Sequence, residues 1–242
     1  MGRVFLIGGG WEPQAAEAVY GPFLRAAGGS GAVGCLIIDE GDGAAQFARY
    51  EAVLRKVAPA CEPVPLLVPI GGEFDVAALD EVAALLVCGG LTPAYQEALA
   101  KVLDRLPRVL GERGIPYAGF SAGAAVAAAR AVVGGWLSDG VPVCPEDTGE
   151  DLDEIEVRPG LGLVPFAVDV HAAQWGTLPR MIDAVERSEA PSGVTIDENT
   201  LLEVHGQEAR VSGLGQVRTV RRAADGGVLV RAYGAGESFT VG

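Results

Sequence analysis

The sequence predicts an α/β fold in which a mostly parallel sheet is flanked by helices and continues into a β-rich C-terminal edge. Short apolar runs alternate with helical segments up to Val133, as in consecutive βαβ units. After Pro165, β-like alternation and glycine turns take over. The length of 242 residues and the apolar content of 49% allow a substantial core. We therefore expect residues 1–242 to form a single domain.

The predicted strands of the first half are aliphatic runs bounded by glycine or proline, which is typical of buried strands. They span residues 3–9, 33–41, 62–71, 84–90 and 115–120. The helices between them are segments rich in alanine, leucine and charged residues. They span residues 15–28, 44–57, 92–114 and 122–133, with a short additional helix before residue 84. Thr92 and Pro93 resemble an N-cap followed by proline at the first helical position.

The second half has a different texture. Residues 134–165 are rich in glycine, proline and acidic residues, which favours loop with short strands. Five β-like segments follow it, separated by turn residues. They cover residues 166–173, 192–200, 201–206, 209–222 and 227–241.

Composition argues against several classes of partner. The 18 basic and 32 acidic side chains give a formal charge of −14, which repels nucleic acid and anionic membrane surfaces. The sequence contains no apolar run long enough to span a membrane and no recognisable signal peptide, so we expect a cytoplasmic protein. Its four cysteines form no CxxC pair and it has two histidines, so we expect buried free thiols and neither metal nor cofactor.

Ser121 lies at the centre of Gly119-Phe120-Ser121-Ala122-Gly123, which fits the G-x-S-x-G pattern between a predicted strand and a predicted helix. In such an elbow the serine is held on a strained turn and the glycines avoid steric collision. The alternative is a small residue that merely packs at a strand-to-helix junction. A serine nucleophile needs a neighbouring base. His171, just after an apolar segment, is a better candidate than His205, which lies beside a glycine turn in the β-rich edge.

The imidazole of such a base is normally oriented by a carboxylate. The candidates are Asp139, Asp169, Asp197 and Glu198. Asp169 is only two residues before His171, which makes a direct bond awkward, whereas Asp197 and Glu198 alternate on opposite faces after a strand. The residues alone leave this choice open.

Two glycine-rich turns are further candidates for binding sites. Gly89-Gly90 follows a strand, so its backbone could approach a substrate and donate to an oxyanion together with the N–H of Ala122. The run of residues 8–10 raises the alternative of a dinucleotide site. Pro13 stands where the third glycine of G-x-G-x-x-G belongs, which disfavours that site.

Five segments in order resemble the peptidase E and cyanophycinase family of serine peptidases. They are LIGGGW, CGGLTPAY, GFSAGA, VDVHAAQWGTLPRM and TIDENTLLEV, spread over residues 4–204. The resemblance implies a class I glutamine amidotransferase-like fold, a small peptide substrate and a homodimer. It also implies Ser121 as nucleophile, His171 as base, Glu198 as acid, and oxyanion donors at Gly90 and Ala122.

The resemblance leaves details open. Peptidase E itself takes its acid from an aspartate soon after the nucleophile, for which Asp139 is the candidate. Substrate contacts are expected from Thr92, Gln174, Trp175 and Arg180. Aspartate-selective members need cationic side chains after the histidine, and only Arg180 matches.

The sequence therefore predicts a serine peptidase for short peptides that is not strictly aspartate-specific. Three alternatives remain. One is an aspartyl dipeptidase or cyanophycinase-type peptidase, another is an amide or ester hydrolase on the same fold, and the third is a non-catalytic small-molecule binding protein.

Overall fold

The computed structural model describes residues 2–187 and 189–241. Its α-helices are α1 (Ala16–Ala26), α2 (Gly43–Val57), α3 (Thr92–Leu99), α4 (Arg105–Arg113), α5 (Ala122–Val126) and α6 (Leu178–Glu186). The strands are β1 (Val4–Ile7), β2 (Gly31–Asp39), β3 (Cys61–Pro69), β4 (Ala84–Val87), β5 (Tyr117–Phe120), β6 (Arg130–Gly134), β7 (Leu137–Ser138), β8 (Val141–Pro142), β9 (Glu156–Pro159), β10 (Ala167–Val170), β11 (Ser192–Ile196), β12 (Thr200–His205), β13 (Glu208–Gly213), β14 (Val217–Arg222), β15 (Val228–Tyr233) and β16 (Ser238–Thr240).

The main sheet has eight strands in the order β16-β13-β12-β1-β5-β4-β2-β3. Five adjacent strands, β1, β5, β4, β2 and β3, are parallel to one another. Strands β12, β13 and β16 extend the sheet beyond β1, and each is antiparallel to its neighbours. A second sheet, β10-β11-β14-β15, comes from the C-terminal half. The predicted α/β class with a β-rich C-terminal edge is confirmed.

Helices cover the main sheet on both faces, because alternate residues of its central strands point to opposite sides. In β1, Val4 and Leu6 belong to one buried apolar cluster, whereas Phe5 and Ile7 belong to the other. Helices α1 and α2 contribute to the second cluster, and α3, α4 and α5 to the first. Because helices pack on both faces of the sheet, the position of each strand is fixed, and so is the position of the loop that follows it.

Two predicted helices are wrong in extent. The predicted helix at residues 92–114 is divided into α3 and α4, linked by a short 3₁₀ turn. Pro107 lies in the first turn of α4, where a missing N–H is tolerated, but a continuous helix would need that N–H as a donor. Helix α3 begins at Thr92, and the preceding Leu91 occupies the cap position, so Thr92 is not the N-cap.

The predicted helix at residues 122–133 stops at Val126, and strand β6 takes over from Arg130. The β-branched Val132 and Val133 favour an extended backbone, and β6 pairs with β9. Among the described residues, no helix combines the length and the apolar character needed to cross a bilayer.

Strands β1, β4 and β5 are parallel neighbours, so their carboxyl ends meet at one edge of the sheet. In open α/β sheets this edge is the usual place for a ligand. Gly8, Gly89 and Ser121 lie just beyond these three strand ends. The carboxyl ends of β10 and β11 bring His171 and Glu198 to the same place.

Candidate active site

Ser121 occupies a tight, strained turn between β5 and α5. Its φ of 52° and ψ of −113° are unusual for a residue with a side chain, and such strain is commonly retained at functional sites. A Cβ atom at Gly119 would lie 2.2 Å from the carbonyl oxygen of Gly123, and one at Gly123 would lie 2.1 Å from that of Val87. Both glycines are therefore required by backbone packing, which holds Ser121 in place.

Ser121, His171 and Glu198 form a continuous hydrogen-bonded chain. Ser121 Oγ lies 2.8 Å from His171 Nε2, and His171 Nδ1 lies 2.8 Å from Glu198 Oε1. When Nδ1 carries the hydrogen, it donates to Glu198 and leaves Nε2 free to accept from the serine hydroxyl. Ser121 and His171 are each 6% exposed, so the hydroxyl and the imidazole are largely shielded from water. The other histidine, His205, is exposed at the end of β12.

The surroundings of His171 set its protonation state. Burial lowers the pKa of His171 below its ordinary value, and the hydrogen bond and negative charge of Glu198 oppose this effect. The imidazole is therefore neutral at pH 7, which is the state that can accept a proton. Trp175 stacks on the ring, with centroids 3.9 Å apart and planes 9° from parallel.

The four candidate acids have four different environments. Asp169 is buried and forms a two-point ion pair with Arg180, at 2.8 and 2.9 Å. Asp197 accepts hydrogen bonds from Arg218 and from the backbone N–H groups of Ala173 and Gln216.

Glu198 is the carboxylate that contacts His171. The structure contradicts the alternative acid Asp139, because its side chain is 86% exposed and pairs with Arg187. That aspartate lies in the exposed turn between β7 and β8, whereas His171 Nδ1 is bonded to Glu198.

The Gly89-Gly90 loop is held by two tyrosines. The N–H of Gly89 donates to the Tyr50 hydroxyl at 2.9 Å, and the Tyr95 hydroxyl donates to the carbonyl of Gly89 at 3.1 Å. In the described part of the chain, the N–H groups of Gly90 and Ala122 have no hydrogen-bond partner. Two unpaired donors beside a serine hydroxyl are what an oxyanion site requires.

The glycines after β1 serve the imidazole. A Cβ atom at Gly9 would lie 2.1 Å from His171 Cε1, and one at Gly10 would lie 2.6 Å from the Asn199 side chain. The N–H of His171 also donates to the carbonyl of Gly8 at 3.1 Å. In the sequence this run is one segment of the family resemblance and an incomplete dinucleotide motif, which disfavours a nucleotide site. Nothing local in the sequence shows that Gly9 makes room for the His171 ring.

Of the four expected substrate contacts, only Trp175 lines the cleft in front of Ser121. Arg180 is 3% exposed, and besides Asp169 it donates to the carbonyls of Gly135 and Thr148. The expected substrate contact of Arg180 is wrong, because its donors are directed into the protein.

Thr92 and Gln174 also have structural partners instead of a place in the cleft lining. Thr92 is buried and its backbone N–H donates to Glu150 Oε2. Gln174 Oε1 accepts the N–H of Glu198 at 2.9 Å and so holds the backbone of the residue that contacts His171. Neither residue lines the cleft, and their expected substrate contacts stay predictions.

The cleft in front of Ser121 has a volume of about 830 Å³. Its floor is formed by Ser121, His171 and the Gly89-Gly90 loop, and its walls come from residues 40–50 and 146–153. A space of this size accommodates a short peptide.

The family model of peptidase family S51 matches residues 73–212, which is more than half of the chain and includes Ser121, His171 and Glu198. The chain belongs to peptidase family S51. It is accordingly a serine-type peptidase, as the resemblance to peptidase E predicts. No curated protein matches the sequence of this S51 peptidase.

A solved structure supports the fold of the S51 peptidase. It is the crystal structure of a candidate peptidase E protein from Listeria monocytogenes EGD-e, with a TM-score of 0.56 and 15% sequence identity. The alignment covers 89% of this chain and 100% of that one. At this identity the similarity concerns the architecture alone.

Proposed function

We propose that this S51 peptidase hydrolyses short peptides through a triad of Ser121, His171 and Glu198. The hydrogen-bonded chain from the Ser121 hydroxyl through the imidazole to the Glu198 carboxylate carries this proposal. Family membership favours it over the alternative of a non-catalytic binding protein.

Acylation begins when Ser121 Oγ attacks the scissile carbonyl carbon and its proton passes to His171 Nε2. The negative oxygen that develops accepts hydrogen bonds from the N–H groups of Gly90 and Ala122. Glu198 stabilises the imidazolium through Nδ1. The C–N bond then breaks, the amine leaves with the proton from Nε2, and an ester to Ser121 remains.

Deacylation repeats these steps with water. His171 takes a proton from the water, the resulting hydroxide attacks the ester carbon, and the C–O bond to Ser121 breaks. The proton on Nε2 returns to the serine oxygen, so the enzyme is restored and no cofactor is consumed.

A strictly aspartate-specific activity receives no support from Arg180, the cationic residue that the sequence offers for it. Such a site requires a cationic fork for the acidic side chain, and Arg180 already uses its donors on Asp169 and two carbonyls. We therefore propose a preference other than aspartate. The single domain of residues 1–242, the cytoplasmic location and the homodimer stay predictions.

The test is turnover of a panel of dipeptides, tripeptides, isopeptides and esters by the wild-type protein and by Ser121→Ala. Activity on peptides that falls by a factor of about 10⁴ or more in the variant supports the triad. Turnover that survives in Ser121→Ala would refute it. Turnover of esters alone would favour the alternative hydrolase.

A further inference from the structure

Acidic residues are concentrated in the walls of the cleft. Seven of its 21 lining residues are aspartate or glutamate, whereas the whole chain has 32 in 242. Acidic residues are therefore more frequent in the cleft lining than in the chain as a whole. Two of the seven follow β2, namely Glu40 and Asp42. The other five lie within residues 146–153 and form the acidic wall, which comprises Glu146, Asp147, Glu150, Asp151 and Asp153.

These carboxylates form no direct ion pair in the described part of the chain. Among the described residues, none of the seven takes part in a salt bridge. Arg49 is the one lysine or arginine in the lining, and its guanidinium lies over the Trp11 ring, 4.3 Å from the centroid. Seven carboxylates and one guanidinium leave the lining net negative, and a negative cleft concentrates cations and repels anions.

Aromatic residues give a second and independent indication. All three tryptophans of the chain, Trp11, Trp136 and Trp175, line this cleft. Tryptophan faces attract ammonium and guanidinium groups, as Arg49 on Trp11 already illustrates. The indole N–H of Trp136 donates to Asp153 at 3.3 Å, which places an aromatic ring beside the acidic wall.

Glu150 is the carboxylate of the acidic wall that is hydrogen-bonded next to the Gly89-Gly90 loop. Its Oε2 accepts the N–H of Thr92 at 2.9 Å, and Thr92 is only two residues after Gly90. Glu150 and Asp151 have φ values of 57° and 61°, a conformation that side chains avoid unless the structure enforces it. Burial raises the pKa of Glu150 above its ordinary value, and the Thr92 N–H and the positive charge of Arg180 oppose this.

The acidic wall does not converge on a point. Among residues 2–187 and 189–241, no three histidine, cysteine, aspartate or glutamate side chains are arranged to hold a metal ion. The carboxylates come instead from two separate stretches of the chain, residues 40–42 and 146–153. This distribution suits an extended organic cation better than a compact ion.

We infer that the cleft selects peptides with a lysine or arginine side chain next to the scissile bond and that Glu150 receives the positive charge of that side chain. The inference rests on the proposed peptidase function and narrows its substrate class. Peptides with aspartate at that position are repelled by the same wall.

The test compares peptides of one length that differ only in the residue next to the scissile bond, which is lysine, its neutral isostere norleucine, or aspartate. We expect kcat/KM for lysine to exceed that for norleucine about tenfold at an ionic strength of about 0.02 M. This preference should shrink severalfold at about 0.5 M, because salt screens the cleft charges. Aspartate peptides should be the poorest substrates.

Each peptide is also measured with an acetylated amino terminus. A lysine preference that persists after acetylation supports the side-chain assignment. A preference that disappears on acetylation would overturn that assignment, because the cation would then be the α-amino group.

Glu150→Gln should lower the ratio of kcat/KM for lysine to that for norleucine about five- to tenfold. Glu62→Gln is the matched control, since Glu62 is exposed on β3 outside the cleft, and it should keep the wild-type ratio. If Glu150→Gln fails to fold, the salt dependence of the wild-type lysine-to-norleucine ratio still shows whether the cleft charges select lysine.

Equal rates for lysine and norleucine, or faster cleavage of aspartate peptides, would overturn the inference while leaving the Ser121-dependent peptidase intact. Absence of Ser121-dependent cleavage with every peptide would instead refute the proposed function, and the inference with it.

Discussion

The elbow at residues 119–123 and the acidic wall at residues 146–153 face the same cleft but are built in opposite ways. The elbow is buried and uncharged, and its backbone segments interlock so closely that a Cβ atom at Gly119 would lie 2.2 Å from Gly123 O. The wall carries five carboxylates, most of them exposed, with no salt bridge among the described residues. Packing fixes the first region, and electrostatic potential characterises the second.

This difference implies a division of labour. A hydroxyl, an imidazole and two N–H donors must be held within tenths of an ångström, which only dense packing can do. A preference for charge needs only the right potential along the path of the substrate. Changes in the elbow and triad should therefore reduce turnover of every peptide, whereas changes in the wall should alter discrimination between peptides.

The largest expected effect is that of Glu198→Gln. The amide cannot stabilise the imidazolium and can favour the wrong tautomer, so kcat should fall by a factor of about 10³–10⁴ for lysine, norleucine and aspartate peptides alike. Asp139→Asn is the matched control, because Asp139 is exposed and pairs with Arg187. Steady-state kinetics check both variants. A loss in Asp139→Asn comparable to that in Glu198→Gln would contradict the assignment.

Gly119→Ala tests the packing of the elbow itself. The added methyl group collides with the Gly123 carbonyl, so the free energy of unfolding should drop by about 1–3 kcal/mol and activity should fall for all substrates. Gly111→Ala in the exposed part of α4 has open space for its methyl group. This control should gain up to about 1 kcal/mol. Urea unfolding distinguishes them, and a neutral Gly119→Ala would show that the elbow is looser than proposed.

The pH dependence follows from the direction of the pKa shift at His171. The base works when neutral, and its pKa lies below the ordinary value of about 6.5, so activity should persist below that pH. The acid limb of kcat/KM should therefore have its midpoint below about pH 6.5. Glu198 raises the pKa of His171, so Glu198→Gln should move the limb to lower pH in its residual activity. A midpoint above pH 6.5 in the wild type would be inconsistent with a buried neutral base.

Asp151→Asn in the acidic wall should have the smallest effect. Asparagine tolerates the left-handed backbone of this position, so stability should change by less than about 0.5 kcal/mol. Removal of one exposed charge should lower the lysine-to-norleucine ratio of kcat/KM about twofold. Peptide kinetics at low salt measure this ratio. A uniform loss of turnover for all peptides would erase the proposed distinction between elbow and wall.

The sequence predicts the elbow well because its signals are local. The strand, both glycines and Ser121 lie within a few residues of one another, and backbone sterics alone require that pattern. The breaks in two predicted helices are less visible. Pro107 interrupts the first, and the second is overridden when β6 pairs with β9, a partner more than twenty residues away in the chain.

The residues around the triad depend on distant partners, which explains what local patterns miss. Asp169 and Asp197 are diverted by Arg180 and Arg218, so Glu198 is distinguished by geometry and by the family resemblance but not by its own neighbours. Gly9 makes room for an imidazole that lies 162 residues later in the chain. The acidic wall resembles an ordinary acidic loop in the sequence, and only the fold brings it into one cleft with Glu40 and the three tryptophans.

The most direct test of the account is covalent labelling with a biotinylated fluorophosphonate, followed by peptide mapping. We expect stoichiometric modification of Ser121, loss of peptidase activity in parallel with labelling, and no labelling in Ser121→Ala. The rate of labelling should also rise with pH in parallel with the fraction of His171 that is neutral. Full peptidase activity in a protein whose Ser121 is completely modified, or labelling confined to another serine, would contradict the central claim that Ser121 is the nucleophile.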